Sequence, residues 1–155
     1  MTFRLRDHTA DVAVEAEAET LSGVFAAVAD GLAAAMCDDV PPDGDDEPVT
    51  FTVEAESREA LLFDYLDQLI YERDVRSVLP VDNEASVSSV DAAGAGGDAA
   101  GADGDAAETR WRVEGRARGV DLGRVDAREV KAVTYSEMRL AETEDGWEAY
   151  VVFDV

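Results

Sequence analysis

The chain has 155 residues, 46% of them hydrophobic, which is enough for one domain with a real core. Acids outnumber bases 36 to 13 for a formal charge of −23, and the short arginine alternation Arg110, Arg112, Arg116, Arg118 is the only local basic run. That balance argues against direct nucleic-acid binding, whose main non-specific term is attraction of phosphate to basic side chains. It fits a halophile's cytoplasm, where molar salt shortens the screening length to about 3 Å and relieves self-repulsion. Cys37 stands alone, so an intramolecular disulfide and a cysteine metal cluster are excluded, and the residue reads as a small buried apolar group. No apolar run approaches the ~18 residues of a membrane span, and the N-terminus Met-Thr-Phe-Arg-Leu-Arg-Asp has no signal-like core. A soluble, cytoplasmic protein is expected.

Phe3 and Leu5 alternate with Arg4 and Arg6 as a first strand, and Val12, Val14, Ala16 and Ala18 alternate with Ala13 and three glutamates as a second. Asp7 to Asp11 is the connection between them, or a bulge within one bent strand. Thr20 can cap a helix whose apolar residues Leu21, Val24, Phe25, Val28, Leu32 and Met36 recur at three and four. A Pro/Gly/Asp loop from Asp38 to Pro48 follows, then the alternating strand Val49, Phe51, Val53, Ala55. Ser57 caps a second helix with Glu59 in its first turn and the stripe Leu61, Leu62, Tyr65, Leu66, Leu69, Ile70.

Val78 to Val81 suggests a strand, and Ser86 to Val90 another. Asp91 to Glu108 is almost pure Ala, Gly and Asp, and it lacks the apolar surface to offset ordering. It reads as a flexible insertion in a hairpin within one domain spanning 1–155. Trp111, Val113, Gly115 and Ala117 alternate as a strand, which makes the solvent face of that strand the first reading of the four arginines. Gly119 to Glu129 reads as an irregular loop with Asp121, Asp126 and Arg128. Val130 to Leu140 and Trp147 to Val155 are strands joined by the turn Glu144-Asp145-Gly146. The pattern predicts an α+β two-layer domain, with two helices on one face of a mainly antiparallel β-sheet.

The strand Tyr150-Val151-Val152-Phe153 runs into Asp154 and Val155, so an acidic side chain and a terminal carboxylate arrive together. If Asp11 sits beside them, three carboxylates converge and would repel unless a cation intervened. Oxygen ligands alone favour Ca²⁺, Mg²⁺ or Mn²⁺ over zinc. Taken singly, Asp11 reads as a turn or strand-edge residue and Asp154 as part of a frayed end. His8 is the only histidine, too few for a zinc site, and reads first as a hydrogen-bonded turn residue; a hydrolytic role with Asp7 or Asp11 is the alternative. Lys131 is the only lysine in a chain that otherwise uses arginine. Lysine offers a compact point charge on a flexible stem, against the alternative of a chance solvent-face residue. No Gly-rich phosphate loop joins a strand to a helix, and Gly94-Ala95-Gly96-Gly97 is low complexity.

Four blocks resemble the archease family. Asp7-His8-Thr9-Ala10-Asp11-Val12 is similar to its opening motif. Leu61-Leu62-Phe63-Asp64-Tyr65-Leu66 is similar to its second-helix signature. Glu129-Val130-Lys131-Ala132-Val133-Thr134-Tyr135 and Gly146-Trp147-Glu148-Ala149-Tyr150-Val151-Val152-Phe153-Asp154-Val155 are similar to its C-terminal blocks. The resemblance covers nearly the whole chain except the insertion. It implies a cytoplasmic activator of the RtcB-type tRNA-splicing RNA ligase, which promotes guanylylation of the ligase, permits repeated turnover and broadens nucleotide choice. It implies a divalent-cation site, with calcium the associated ion, at Asp11, Asp154 and Val155. It also implies activating roles for Asp11, Lys131 and Asp154, with no catalytic residues of the chain's own. One departure is Ser136, where the family usually has histidine after Thr-Tyr. Two other functions remain in view. One is a chaperone or modulator of a tRNA-modifying methyltransferase. The other is a small metal-dependent hydrolase using His8 and Asp11.

Overall fold

The computed structural model describes residues 2–8, 11–41, 47–91 and 109–155. Among the described residues there are two sheets and two α-helices. The elements run β1 (Thr2–His8), β2 (Asp11–Ala18), α1 (Leu21–Met36), β3 (Glu47–Ala55), α2 (Arg58–Arg76), β4 (Val78–Asp91), β5 (Thr109–Asp121), a 3₁₀ turn (Leu122–Arg124), β6 (Ala132–Thr143) and β7 (Gly146–Asp154). The first sheet has the order β1-β2-β7-β6 and the second β3-β5-β4, with neighbours antiparallel throughout. The α+β class expected from the pattern is found, with the strands divided between two sheets.

The composition of α1 explains that division. Eleven of its residues are buried, from Val24 round to Met36, so it has no broad solvent face. A helix apolar on all sides needs cover on all sides. It packs on β2, β1 and β7 of one sheet and on β4 of the other. Its alanines permit close approach, and Gly31 most of all: a Cβ there would come within 2.5 Å of Val14. Helix α2 is one-sided, with Leu61, Leu62, Tyr65, Leu66, Leu69 and Ile70 buried, and it packs on β3, β4 and β5 and on β6 of the first sheet. Both expected caps form: the Thr20 hydroxyl accepts from the Gly23 amide at 2.9 Å, and the Ser57 hydroxyl from the Ala60 amide at 3.1 Å.

Two strands differ from the sequence pattern. The runs Val78–Val81 and Ser86–Val90 are one strand, β4, with a register shift between Val81 and Glu84. Asp82 takes the left-handed conformation (φ 51°), and Asn83 turns inward, where its amide and its side-chain nitrogen both donate to Asp30 Oδ1 at 2.9 Å. That buried pairing offsets the cost of a polar residue in the core. The segment expected to be loop from Gly119 extends β5 to Asp121 before the 3₁₀ turn begins. The insertion expected between Asp91 and Glu108 lies, at 92–108, outside the described residues; β4 and β5 pair up to Asp91 and Thr109 on either side of it.

Candidate functional site

Asp11 opens β2 and Asp154 closes β7, and the two are direct partners in the antiparallel register. Direct partners share one face of a sheet, with Cβ atoms about 4.5–5.5 Å apart. The next pair along, Val12 with Phe153, belongs to the core side, so Asp11 and Asp154 point to the face away from the helices. The following pair on their own face is Ala13 with Val152, both buried. The two acids therefore stand at the sheet end outside one buried apolar pair, with Asp11 half-buried and Asp154 exposed. Val155 follows, 46% exposed.

The row continues on both sides. His8 is the register partner of Asp11 in β1, and Ala132 that of Asp154 in β6. Thr9 and Ala10, in the middle of the opening motif, lie outside the described residues. The Lys131 amide donates to the Asp154 carbonyl at 2.8 Å, which fixes Lys131 one residue outside the row with an exposed side chain.

The loop that delivers Lys131 is anchored by Arg128, to which the sequence pattern assigned no role. Its amide donates to the Met36 carbonyl at 2.6 Å and its Nε to the Ala35 carbonyl at 3.1 Å, while its guanidinium meets Asp38 at 3.0 Å. These bonds satisfy carbonyls left open at the end of α1. A hydrogen bond from Arg128 holds the exposed Asp38 carboxyl below the usual carboxylate range. Val130, fully buried, completes the anchor. An arginine four residues before a strand carries no pattern of its own in the sequence; only the folded chain brings it to the end of α1.

Past Thr134 the β6–β7 register breaks until Arg139. Ser136 and Tyr135 lie in this bulge, the Ser136 amide donating to Thr134 Oγ1 at 3.2 Å, and Glu137 adopts φ 60°. The arginines of β5 have the solvent-face positions their spacing suggests. Arg112 pairs with Glu54 at 2.8 Å and Arg118 with Asp82 at 2.8 Å, so acids on the same face offset them.

Two carboxylates side by side repel, and their oxygens are hard donors suited to a calcium, magnesium or manganese ion. Among the described residues no group of three or more His, Cys, Asp or Glu side chains has a metal-binding arrangement. The set suggested by the sequence is of another kind, two side chains with a terminal carboxylate, and its two side-chain members are neighbours.

The sequence profile described as "Archease protein family (MTH1598/TM1083)" matches residues 3–155. The chain belongs to the archease family. It is 31% identical to the protein archease of Thermococcus gammatolerans, over 96% of this chain and 95% of that one. It is 29% identical to the protein archease of Methanosarcina barkeri, over 99% and 95%. Among solved structures, the fold is similar to protein 1598 of Methanobacterium thermoautotrophicum, with a TM-score of 0.68, 21% identity and 99% and 98% of the two chains covered. It is also similar to an archease of Thermotoga maritima described as a possible chaperone, with a TM-score of 0.53, 19% identity and coverage of 97% and 94%. At those identities the structural likeness concerns the fold alone.

Proposed function

We propose that this archease activates an RtcB-type tRNA-splicing RNA ligase, promoting guanylylation of the ligase and its multiple turnover, and broadening its nucleotide choice, without turnover of its own. The observation that supports the reading most is the cross-strand pairing of Asp11 with Asp154 beside Lys131. In this proposal Asp11, Asp154 and the Val155 carboxylate hold a divalent cation, calcium first among the hard ions. Such an ion, when bound, supplies a positive centre for triphosphate oxygens.

The chain's own residues do the rest. The β2–β7 register holds the two aspartates at one sheet end, so their positions are set before any partner arrives. Lys131, tied through its backbone to Asp154, brings an ammonium group toward phosphate charge that develops outside the row. The buried Ala13–Val152 pair behind the acids limits water on that side. The protein would work in a cytoplasm of high salt and meet the ligase, not the RNA or a membrane; no helix among the described residues is long and apolar enough to cross one.

The test is a guanylylation assay with the ligase of the same organism in molar potassium chloride. Added protein is expected to raise the rate and permit several turnovers per ligase. Asp11→Ala, checked for an unchanged circular dichroism spectrum, is expected to lose that stimulation. Wild-type protein without effect, or full stimulation by a folded Asp11→Ala variant, rejects the assignment.

A second reading is a chaperone or modulator of a tRNA-modifying methyltransferase. It requires binding that survives Asp11→Ala.

A further inference from the structure

The outward side of α2 carries Phe63, Asp64, Asp67, Tyr71 and Val75, on the side opposite the buried stripe. Tyr71 is 57% exposed, Val75 62% and Tyr135, on the adjoining bulge of β6, 56%. Large apolar groups gathered on one face of so acidic a chain call for an explanation that scattered ones do not. The Phe63 and Tyr135 rings are stacked, 4.1 Å between centroids and 5° from parallel. Phe63 covers one face of the Tyr135 ring, and the exposure of Tyr135 leaves the other to solvent.

Asp64 and Glu56 lie near enough to Tyr135 for their charges to act on its phenol. Burial raises the Tyr135 phenol, and the charges of Asp64 and Glu56 raise it further. Burial, then Asp67 and Glu56, raise the Asp64 carboxyl. Among the described residues no basic side chain pairs with Glu56, Asp64 or Asp67. The arginine that begins the helix, Arg58, is engaged elsewhere, between the Trp111 and Trp147 rings at 5.2 and 5.3 Å from their centroids. An electron-rich ring face next to unpaired acids lacks only a planar cation.

We infer that this face docks a partner protein by receiving an arginine: its guanidinium stacks on the open side of Tyr135 and bonds to Asp64 and Glu56, while Tyr71 and Val75 meet apolar side chains beside it. Charge complementarity selects the occupant. Phosphates are repelled by the three acids. Arginine is planar, forks to carboxylates and sheds water more readily than lysine does. In molar salt, attraction beyond about 3 Å is screened, so a recognition device there has to work at contact, as stacking and forked hydrogen bonds do. The helix leads from this stack toward the Arg128 loop, since Asp74 near its end lines one pocket with Asp126 and Arg128. The inference rests on the ligase as the partner.

The test titrates ligase guanylylation against protein concentration in molar potassium chloride, alongside calorimetric binding of the same two proteins. Tyr135→Ala is expected to raise the half-saturating concentration about tenfold or more while the plateau is retained, the loss expected of an aromatic anchor. Tyr135→Phe keeps the stack and is expected to stay near wild type. Tyr71→Glu, on an exposed side chain whose change leaves the core intact, is expected to weaken binding in the same direction and serves if Tyr135→Ala fails to fold. Asp11→Ala, by contrast, should lower the plateau with binding retained. Unchanged half-saturation in folded Tyr135→Ala or Tyr71→Glu, with wild-type stimulation intact, overturns this inference and leaves the proposed function standing. Wild-type protein that neither binds nor stimulates the ligase overturns both.

Discussion

The amide of Lys131 donates to the carbonyl of Asp154 at 2.8 Å, so the only lysine of the chain is coupled by backbone to the residue that faces Asp11. The bond lies at the edge strand of a four-stranded sheet, where β6 begins. It makes the position of Lys131 a property of the sheet and not of a loose loop.

The aspartate pair should show itself in thermal stability. The variant that tests it is Asp11→Asn, which keeps the shape of the side chain and removes its charge. Calcium at a hundredfold excess over its dissociation constant should stabilise the wild type by about 2.7 kcal/mol, a rise of several degrees for a chain of this size. The variant should gain little of it. Scanning calorimetry with chelator and with calcium checks both, and an equal calcium response in the two proteins would count against the site.

Arg128→Ala should cost about 1–2 kcal/mol, chiefly through the Ala35 carbonyl left without its donor. The contact with Asp38 adds little, since both side chains are largely exposed. Hydrogen exchange of the amides from Val125 to Lys131 is expected to speed up more than that of β2 or β7. Uniform acceleration across the molecule would show that the arginine supports the fold at large and not the delivery of Lys131.

Tyr65 is fully buried among Phe25, Phe51 and the strands of the second sheet, and among the described residues its hydroxyl has no hydrogen-bond partner. Burial, aided by Asp30, pushes its phenol far above the ordinary value. Tyr65→Phe removes an unsatisfied polar atom and keeps the ring, so stability should rise by up to about 1 kcal/mol. Denaturant unfolding measures it; a loss of stability would mean that the hydroxyl is bonded in solution.

Asp30 supplies a pH signature. Burial raises its carboxyl above the ordinary 3.8 in spite of the hydrogen bonds from Asn83. The folded state therefore holds the proton more tightly than the unfolded chain. The stabilising effect of that proton is present below the unfolded value and is lost as pH rises through the raised folded one. Asp30→Asn keeps an oxygen to accept from Asn83 and removes the titration. The stability difference between variant and wild type should then widen in the variant's favour as pH climbs through that window, and a difference independent of pH would refute the assignment.

Much of this was legible in the residues because it is local. The Thr20 and Ser57 caps, the period of α2 and the Glu144-Asp145 turn between Thr143 and Gly146 each depend on neighbours within a few positions. A turn, a cap or an amphipathic stripe is decided by short-range sterics and hydrogen bonds, so composition and spacing suffice to see it. The family resemblance was legible too, because its blocks are contiguous.

Other features needed the folded chain. The pattern around Asp82-Asn83-Glu84 broke β4 in two, since three polar residues in a row are no strand signal; Asp30, across the core, makes Asn83 a welcome interior residue. The apolar character of α1 on every side could be counted in advance, but not that two separate sheets would cover it. The facing of Asp11 and Asp154, the reach of Arg128 to the end of α1 and the stacking of Phe63 on Tyr135 all join residues far apart in the chain. Such pairings are set by burial of a shared core and by strand register, and those are properties of the whole molecule, fixed only when the sheets close around the helices.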